Sequence, residues 1–242
     1  MTDDDSLTQR IATALATNPQ RVQRLDHAGQ TIWIKRRETP GLLLRLQKGN
    51  PDAAFKAERH ALHEWHRMRA PAPKILAEGT DFLALADSGR PLNALLSDPQ
   101  ITTADRIEAF HAAGRALAAL HARQISHGRP SLKDICWDGQ KITFLDLERY
   151  AARRNTPQGH AMDLVMFVFN ALVVGRGMTP ELNAAIQTYR ANDPDNIWGL
   201  ARAWCHKMRW IDWITKPVQL RRGGKAKEFK AIPLTLAVFA NG

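Results

Sequence analysis

The pattern of apolar and polar positions divides the chain into a strand-rich first part and a helical second part. Apolar residues recur at helical spacing over residues 6 to 17, and this pattern ends at Asn18-Pro19. Residues 53 to 68 predict an amphipathic helix, and residues 74 to 89 predict two strands. Between them, a small antiparallel meander is predicted from three short runs: RVQRL (21 to 25), TIWIKRR (31 to 37) and LLLRLQ (42 to 47).

Helical periodicity dominates from residue 103 onward. Residues 103 to 123 place their apolar side chains on one stripe, and Asp138-Gly139 between two apolar runs predicts a tight hairpin. Residues 162 to 175 (MDLVMFVFNALVVG) are apolar on nearly every side, so we expect a buried central helix there. The elements together indicate an α+β protein with a small antiparallel sheet followed by a mainly helical part.

Composition narrows the class of protein. With 242 residues and 44% hydrophobic content, the chain is long enough for one enzyme-sized module. Cys136 and Cys205 are the only cysteines, which excludes a disulfide framework and a CxxC metal site. The first ten residues are acidic and polar and do not resemble a secretory signal, so we expect a cytoplasmic protein.

Positive charge is concentrated near the carboxyl terminus. The net charge is +10, and residues 202 to 230 hold nine basic against two acidic side chains, which is +7 of that total. We therefore expect a basic carboxy-terminal extension over residues 201 to 242, packed on or flanking the preceding part. In and beside it, basic residues alternate with Trp198, Trp204, Trp210 and Trp213. Two explanations stay open: peripheral contact of residues 202 to 230 with the inner membrane surface, or packing of the tryptophans against their own domain.

A stretch over residues 115 to 148, RALAALHARQISHGRPSLKDICWDGQKITFLDLE, carries the candidate chemistry. It resembles the catalytic core of the protein-kinase-like fold. His127 matches the histidine of the catalytic loop, Arg129 lies where the family has its catalytic Asp, and Asp134 lies at the Asn position. Asp146 matches the metal-binding Asp of the Asp-Phe-Gly motif. The resemblance implies that Asp134 and Asp146 are the catalytic pair and bind Mg²⁺.

The resemblance extends to both sides of this stretch. Lys35 in TIWIKRR corresponds to the strand lysine that orients the ATP phosphates, and Glu58 on the next helix is its natural partner. Asp163 resembles the aspartate that supports the catalytic loop from below, and His127 is expected to be structural. The implied fold is bilobal: an amino-terminal helix and sheet-plus-helix N-lobe over residues 1 to 88, and a helical C-lobe over residues 89 to 200.

The substrate class is suggested by a short segment. Only 17 residues separate Asp146 from Asp163, too few for the activation segment with which protein kinases dock peptides. The chain is therefore similar to the bacterial lipopolysaccharide kinases (Kdo and core-heptose kinases) and to aminoglycoside-type phosphotransferases. We expect an anionic glycolipid or small-molecule acceptor. The acceptor-binding candidates are all arginines: Arg129, Arg149, Arg153 and Arg154.

Two departures from the family pattern leave alternatives open. Arg129 replaces the usual catalytic base, and no glycine-rich loop precedes Lys35. In the leading hypothesis the protein is an ATP- and Mg²⁺-dependent phosphotransferase in which Asp134 or a water serves as base. In the alternative it is a pseudokinase scaffold that binds a protein partner or an anionic membrane. Nucleic-acid binding through residues 202 to 230 is the least favoured hypothesis.

Overall fold

A computed structural model describes residues 3–37, 51–221 and 226–241 of the chain. It divides into two compact units, Met1–Ser88 and Gly89–Gly242. The strand predicted for residues 42 to 47 lies outside the described residues, as do Arg222 and Lys225 of the basic segment.

The first unit combines a four-stranded sheet with two helices. The sheet is antiparallel throughout, with strand order β1-β2-β4-β3. The elements are α1 (Asp3–Thr17), β1 (Val22–His27), β2 (Gln30–Arg36), α2 (Pro51–Arg67), β3 (Ile75–Glu78) and β4 (Phe82–Ala86). A small core forms where Ile11 of α1 packs with Ile32 and Ile34 of β2 and Ala84 of β4.

Side-chain alternation on β2 determines which residues face α1. Ile32 and Ile34 are fully buried on one face, so Lys35 projects from the opposite face. On α2, Glu58 lies on the same helical face as the buried residues Phe55 and Trp65. A charged residue on the buried face of an amphipathic helix requires a partner, and β2 provides one.

The second unit is mainly helical and contains a short three-stranded sheet of order β5-β6-β7. In its first half lie β5 (Arg90–Pro91), α3 (Leu92–Ser97), α4 (Thr103–Ala122), β6 (Ile135–Trp137) and β7 (Ile142–Phe144). Two 3₁₀ turns (Leu147–Arg149 and Ala152–Arg154) then lead to α5 (Pro157–Gly175) and α6 (Pro180–Ala191). The predicted hairpin between β6 and β7 is present.

Helix α5 is the expected central helix. Leu164, Phe167, Val168 and Leu172 are buried along it. By length and composition α5 could also cross a membrane, but half of its most apolar window is buried inside the protein. Its first turns bury polar side chains as well, and these belong to the candidate site described below.

Three further helices complete the second unit: α7 (Ile197–Lys207), α8 (Trp210–Gln219) and α9 (Ala226–Asn241). Helix α7 runs through residue 200 without a break. Helix α9 packs against α5, α7 and α8, and its Phe239 lies against Trp198 with ring centroids 4.7 Å apart. The predicted α+β class, with a sheet-plus-helix first part and a mainly helical second part, is confirmed.

Candidate active site

The first unit joins Lys35 and Glu58 in an ion pair between β2 and α2. Both side chains are largely buried, so water screens the pair weakly. A buried ammonium with a single carboxylate partner has donors left over, because Lys carries three N–H groups. The pair therefore holds Lys35 extended while leaving it able to bind a second anion.

In the second unit, Asp163 fixes the backbone of the loop that follows α4. Its Oδ1 accepts a hydrogen bond from the backbone N–H of Gly128 at 2.9 Å, and its Oδ2 accepts one from the backbone N–H of His127. His121 Nε2 lies 3.7 Å from the same Oδ2. Asp163 is buried at the start of α5, so the helix fixes the position of the carboxylate and the carboxylate fixes the position of the loop.

His127 is a structural residue of this loop. Its Nε2 donates to the carbonyl oxygen of Leu145 at 2.9 Å, which leaves Nδ1 to accept the backbone N–H of Arg129 at 3.3 Å. Burial lowers the pKa of His127, because the charged imidazolium is poorly solvated there. The neutral ring therefore links the loop to the strand that precedes Asp146.

The β6–β7 hairpin brings Asp134 and Asp146 together. Ile135 and Phe144 are register partners, so the residues just outside them are adjacent across the hairpin mouth. The Leu145 N–H accordingly donates to the Asp134 carbonyl at 2.7 Å. Asp146 follows in a left-handed backbone conformation (φ 56°, ψ 55°) that turns its side chain out of the strand.

Lys133 lies between the two carboxylates. Its Nζ is 3.5 Å from Asp134 Oδ1 and 3.6 Å from Asp146 Oδ2. The Lys133 ammonium group therefore contributes positive charge to both carboxylates. Burial, with the neighbouring Asp146 charge as the second cause, raises the pKa of Asp134 to about 6.

Asp134 and Asp146 fit the predicted Mg²⁺ site. Asp134 Oδ2 is buried without a hydrogen-bond partner among the described residues, so an oxygen ligand is available next to a second carboxylate. Mg²⁺ is commonly held by one or two carboxylates together with substrate phosphates and water. In residues 3–37, 51–221 and 226–241, no group of three or more His, Cys, Asp or Glu side chains is arranged to hold a metal ion, so the two carboxylates would share Mg²⁺ with phosphate and water.

The four arginines predicted to bind an acceptor fall into two groups. Arg129 Nη2 lies 3.9 Å from both Asp146 Oδ2 and Glu148 Oε1, and Arg149 Nε lies 3.7 Å from Glu148 Oε1. Arg129 therefore lies beside one carboxylate of the candidate metal site and beside Glu148, whereas Arg149 lies beside Glu148 alone.

The other two arginines, Arg153 and Arg154, line a cavity of about 380 Å³ at the start of α5. Ser126, Gly128 and Gln158 also line it, and Asp163 forms part of its wall. The cavity therefore adjoins the loop that Asp163 supports. Two guanidinium groups in one cavity provide donors that match an anionic group.

Three polar residues contribute to the site without having been singled out by sequence reasoning. Asn170 Oδ1 accepts from the Leu132 N–H at 2.8 Å and from Ser131 Oγ at 3.1 Å, so it supports the second half of the loop. Lys133 and Glu148 extend the charge cluster. Lys133 and Glu148 could have been found from the sequence, because each lies within two residues of a predicted metal ligand. Asn170 could not, because it lies on α5, 38 positions along the chain from the loop residue that it contacts.

The site combines a carboxylate with a raised pKa, a second carboxylate and several cations. A group with a pKa of about 6 can accept a proton near neutral pH. The adjacent Lys133 and Arg129 offer positive charge to an anion that approaches the carboxylates. Such a constellation suits the transfer of a highly charged group.

Among known proteins, the chain is similar to a curated sequence and to solved structures. No family model matches the chain. A curated protein of Haemophilus influenzae (strain ATCC 51907 / DSM 11121 / KW20 / Rd), named "Uncharacterized protein", is 30% identical over 148 residues. That match covers 61% of this chain and 61% of the relative, so the chain spans about three fifths of the relative's length.

Among solved structures, one similar chain is the bifunctional kinase-methyltransferase WbdD. The superposition has a TM-score of 0.47 and 15% sequence identity. It covers 93% of this chain and 49% of WbdD.

Proposed function

We propose that this protein is an ATP- and Mg²⁺-dependent phosphotransferase of the protein-kinase-like fold, acting on a hydroxyl group of a glycolipid such as lipopolysaccharide or of a related small molecule. The observation that carries the proposal is the juxtaposition of Asp134 and Asp146, with Asp134 Oδ2 buried and without a hydrogen-bond partner among the described residues. A buried carboxylate in this state is costly to maintain, and a divalent cation compensates that cost.

Residues of both units have roles in the proposed reaction. Lys35, held by Glu58, binds phosphate oxygens of the nucleotide. Asp134 and Asp146 hold Mg²⁺, which neutralises phosphate charge when it is bound. Asp163, His127 and Asn170 hold the loop backbone that carries Asp134; they are positioning residues.

The proposed chemistry requires an acceptor for one proton. The acceptor hydroxyl oxygen bonds to the γ-phosphorus, the bond from that phosphorus to the bridging oxygen of ADP breaks, and the hydroxyl proton leaves to a base. The base is Asp134 or a water beside it; the raised pKa of Asp134 belongs to the carboxylate without metal, and a bound Mg²⁺ lowers it. Arg129 lies at the usual base position, where its guanidinium group stabilises negative charge.

The acceptor is proposed to be anionic because Arg153 and Arg154 line one cavity beside the loop. Bidentate guanidinium contacts are suited to phosphate or carboxylate groups, both common on bacterial glycolipids. An aminoglycoside-like acceptor carries ammonium groups, which these two cations would repel. Replacing both arginines by Ala is therefore expected to raise the KM for the acceptor while the KM for ATP stays within about twofold.

A thermal-shift titration with Mg²⁺-ATP tests the nucleotide site before any acceptor is known. Binding to the native state raises the melting temperature by linkage, so the parent protein is expected to show a rise that Lys35→Ala and Asp146→Asn both lose. Lys56→Ala and Asp138→Asn are matched controls, because these residues are a lysine and an aspartate outside the site. Parent and controls that show no rise at millimolar nucleotide would overturn the proposal.

One observation favours a second candidate function, a pseudokinase scaffold. Lys133 and Arg129 already place two cations beside Asp146, where a catalytic metal would have to bind. If those cations replace the metal, nucleotide binds without Mg²⁺ or not at all. For a pseudokinase, the parent would not turn over Mg²⁺-ATP, and Arg129→Asp would be the form able to gain this activity. The phosphotransferase proposal instead expects the parent to turn over Mg²⁺-ATP and Asp146→Asn to lose this activity.

A further inference from the structure

Helix α8 presents an apolar face to solvent: half of the large apolar side chains that are exposed in the described part of the chain lie on it or just after it. Four large apolar side chains lie on it: Trp210 at 56% exposure, Trp213 at 78%, Ile214 at 57% and, just beyond the helix end, Leu220 at 81%. No residue of α8 is buried. Trp213, Ile214 and the exposed Pro217 follow Trp210 by three, four and seven residues, so these side chains form one continuous stripe along the helix.

The opposite face of α8 accounts for its attachment to the protein. Ile211, Thr215 and Val218 are half-buried, and α9 packs against α8. The one acidic residue of the helix, Asp212, is also half-buried and accepts a hydrogen bond from Gln219 Nε2 at 3.0 Å. The exposed stripe therefore faces outward because the other side of the same helix already has a partner.

Basic side chains are frequent on α8, at its ends and on the preceding helix α7. The exposed basic residues on α7, on α8 and at their ends are Arg202, Lys207, Arg209, Lys216 and Arg221. None of the five forms an ion pair with another residue that the structure describes, whereas Arg24, Arg67 and Arg90 elsewhere on the surface do. Exposed tryptophans flanked by cations are the arrangement that binds the headgroup region of an anionic bilayer.

We infer that α8 docks this protein onto an anionic membrane surface, with Trp213 and Ile214 inserted among the lipids and the five basic residues on lipid phosphates. Ten residues are far too few to cross a bilayer, so α8 lies in the plane of the interface. The inference is independent of the phosphotransferase proposal, since it uses no residue of the candidate active site.

The charges argue against a second copy of the chain as the occupant of this face. An isologous pairing of two α8 helices would bring the cations on α8 and at its ends (Arg209, Lys216 and Arg221) near the same residues of the other copy. Anionic lipid neutralises these cations instead, and each basic residue near the surface raises the affinity for the membrane roughly fivefold. The two explanations for the tryptophans apply to different residues. Trp198 packs within its own unit, because it is buried against Phe239, whereas Trp210 and Trp213 are exposed and available to a membrane.

Vesicle co-sedimentation of the full chain without nucleotide tests the inference. We expect binding to vesicles with about 30% phosphatidylglycerol in phosphatidylcholine and little binding to pure phosphatidylcholine. Trp213→Ser/Ile214→Ser and Arg209→Glu/Lys216→Glu are each expected to weaken binding at least tenfold, because they remove inserted area and charge respectively. Brominated acyl chains should quench part of the tryptophan fluorescence of the parent and less of the Trp213 variant.

Matched controls change similar side chains elsewhere. Met178→Ser removes another exposed apolar residue, and Lys56→Glu/Lys74→Glu reverses two exposed cations of the first unit; both should bind as the parent does. Failure of the parent to bind anionic vesicles would overturn the inference. So would equal binding by the Trp213/Ile214 variant, a concentration-dependent dimer that this variant abolishes, or tighter binding to DNA than to vesicles. Absence of a nucleotide-induced thermal shift would contradict the phosphotransferase proposal and would leave the membrane inference unaffected.

Discussion

The carboxylate of Asp163 accepts the backbone N–H of Gly128 at 2.9 Å, so a residue at the start of α5 holds the loop that leads to Asp134. Asp163→Asn replaces one acceptor oxygen by an amide that cannot accept, and a buried N–H then loses its partner. We expect the free energy of unfolding to fall by about 2 to 3 kcal/mol. Urea denaturation measures this change.

Glu181→Gln is the control for that variant. Glu181 is also a buried carboxylate, but it pairs with Arg106 at 2.9 Å, far along the chain from the loop. Both variants are expected to be less stable, while only Asp163→Asn should also weaken the Mg²⁺-ATP thermal shift. Equal nucleotide responses of the two variants would show that Asp163 does not position the loop for binding.

Gly128 and Gly139 make a matched pair that separates backbone strain from steric clash. Both have positive φ, 98° and 99°, which is unfavourable for residues with a Cβ. A Cβ at Gly128 would lie 2.4 Å from the carbonyl oxygen of Arg149, whereas a Cβ at Gly139 would meet nothing within 4 Å. We expect Gly139→Ala to cost about 1 kcal/mol and Gly128→Ala about 3 kcal/mol or more.

Urea unfolding of the two alanine variants checks this difference. A similar loss of stability in both would mean that the segment containing Arg149 moves away without cost. In that case the close packing of the loop on the turn after Asp146 would not be a constraint on the site.

Lys133 is expected to compete with metal ions for the two carboxylates. Its Nζ lies 3.5 Å from Asp134 and 3.6 Å from Asp146, so Lys133→Met leaves the pair without its nearest cation. Mn²⁺ affinity without nucleotide should then rise about fivefold, because a divalent ion no longer displaces an ammonium. Isothermal titration calorimetry measures the affinity.

Lys141→Met is the control, since Lys141 lies 3.8 Å from Asp138 in an exposed pair on the hairpin turn. Its Mn²⁺ affinity should equal that of the parent. Weaker Mn²⁺ binding by Lys133→Met would indicate that the lysine supports the metal site instead of competing for it.

His160 gives the protein a stability that declines in acid. Burial lowers its pKa to about 4 from an ordinary value near 6.5, with the stacked His121 ring as a second cause. Between about pH 4 and pH 6.5, the unfolded chain therefore binds a proton at His160 that the folded protein does not bind. Stability is fully present above pH 6.5 and is lost as the pH falls toward 4, by at most about 3 kcal/mol.

The slope of unfolding free energy against pH measures this effect. His160→Gln should flatten the slope between pH 6.5 and 4, whatever its effect on stability at neutral pH. The slope does not vanish, because burial also lowers the pKa of His127 and acts in the same direction. The exposed His63 is the control, and an unchanged slope in His160→Gln would contradict the prediction.

The local sequence pattern was sufficient to predict the helices and strands and to predict which residues of neighbouring elements meet. Alternation places Lys35 on the face of β2 away from Ile34, and helical spacing places Glu58 with Phe55 and Trp65, so their meeting followed from two periodicities. The Asp138-Gly139 turn likewise determined the hairpin that brings Asp134 toward Asp146. These relations depend on backbone geometry within or between neighbouring elements, which sequence spacing encodes directly.

Only the tertiary structure decided which charges meet and which apolar residues stay outside. Lys133, Arg129 and Glu148 converge on one site because the loop and the turn after Asp146 fold against each other. Asn170 reaches the loop from α5, and no local pattern marks such a contact. Four tryptophans in similar surroundings separate into the buried Trp198, the half-buried Trp204 and the exposed Trp210 and Trp213. Burial is a property of packing between distant elements, so composition determined that this region is basic and aromatic, and packing determined which face is presented.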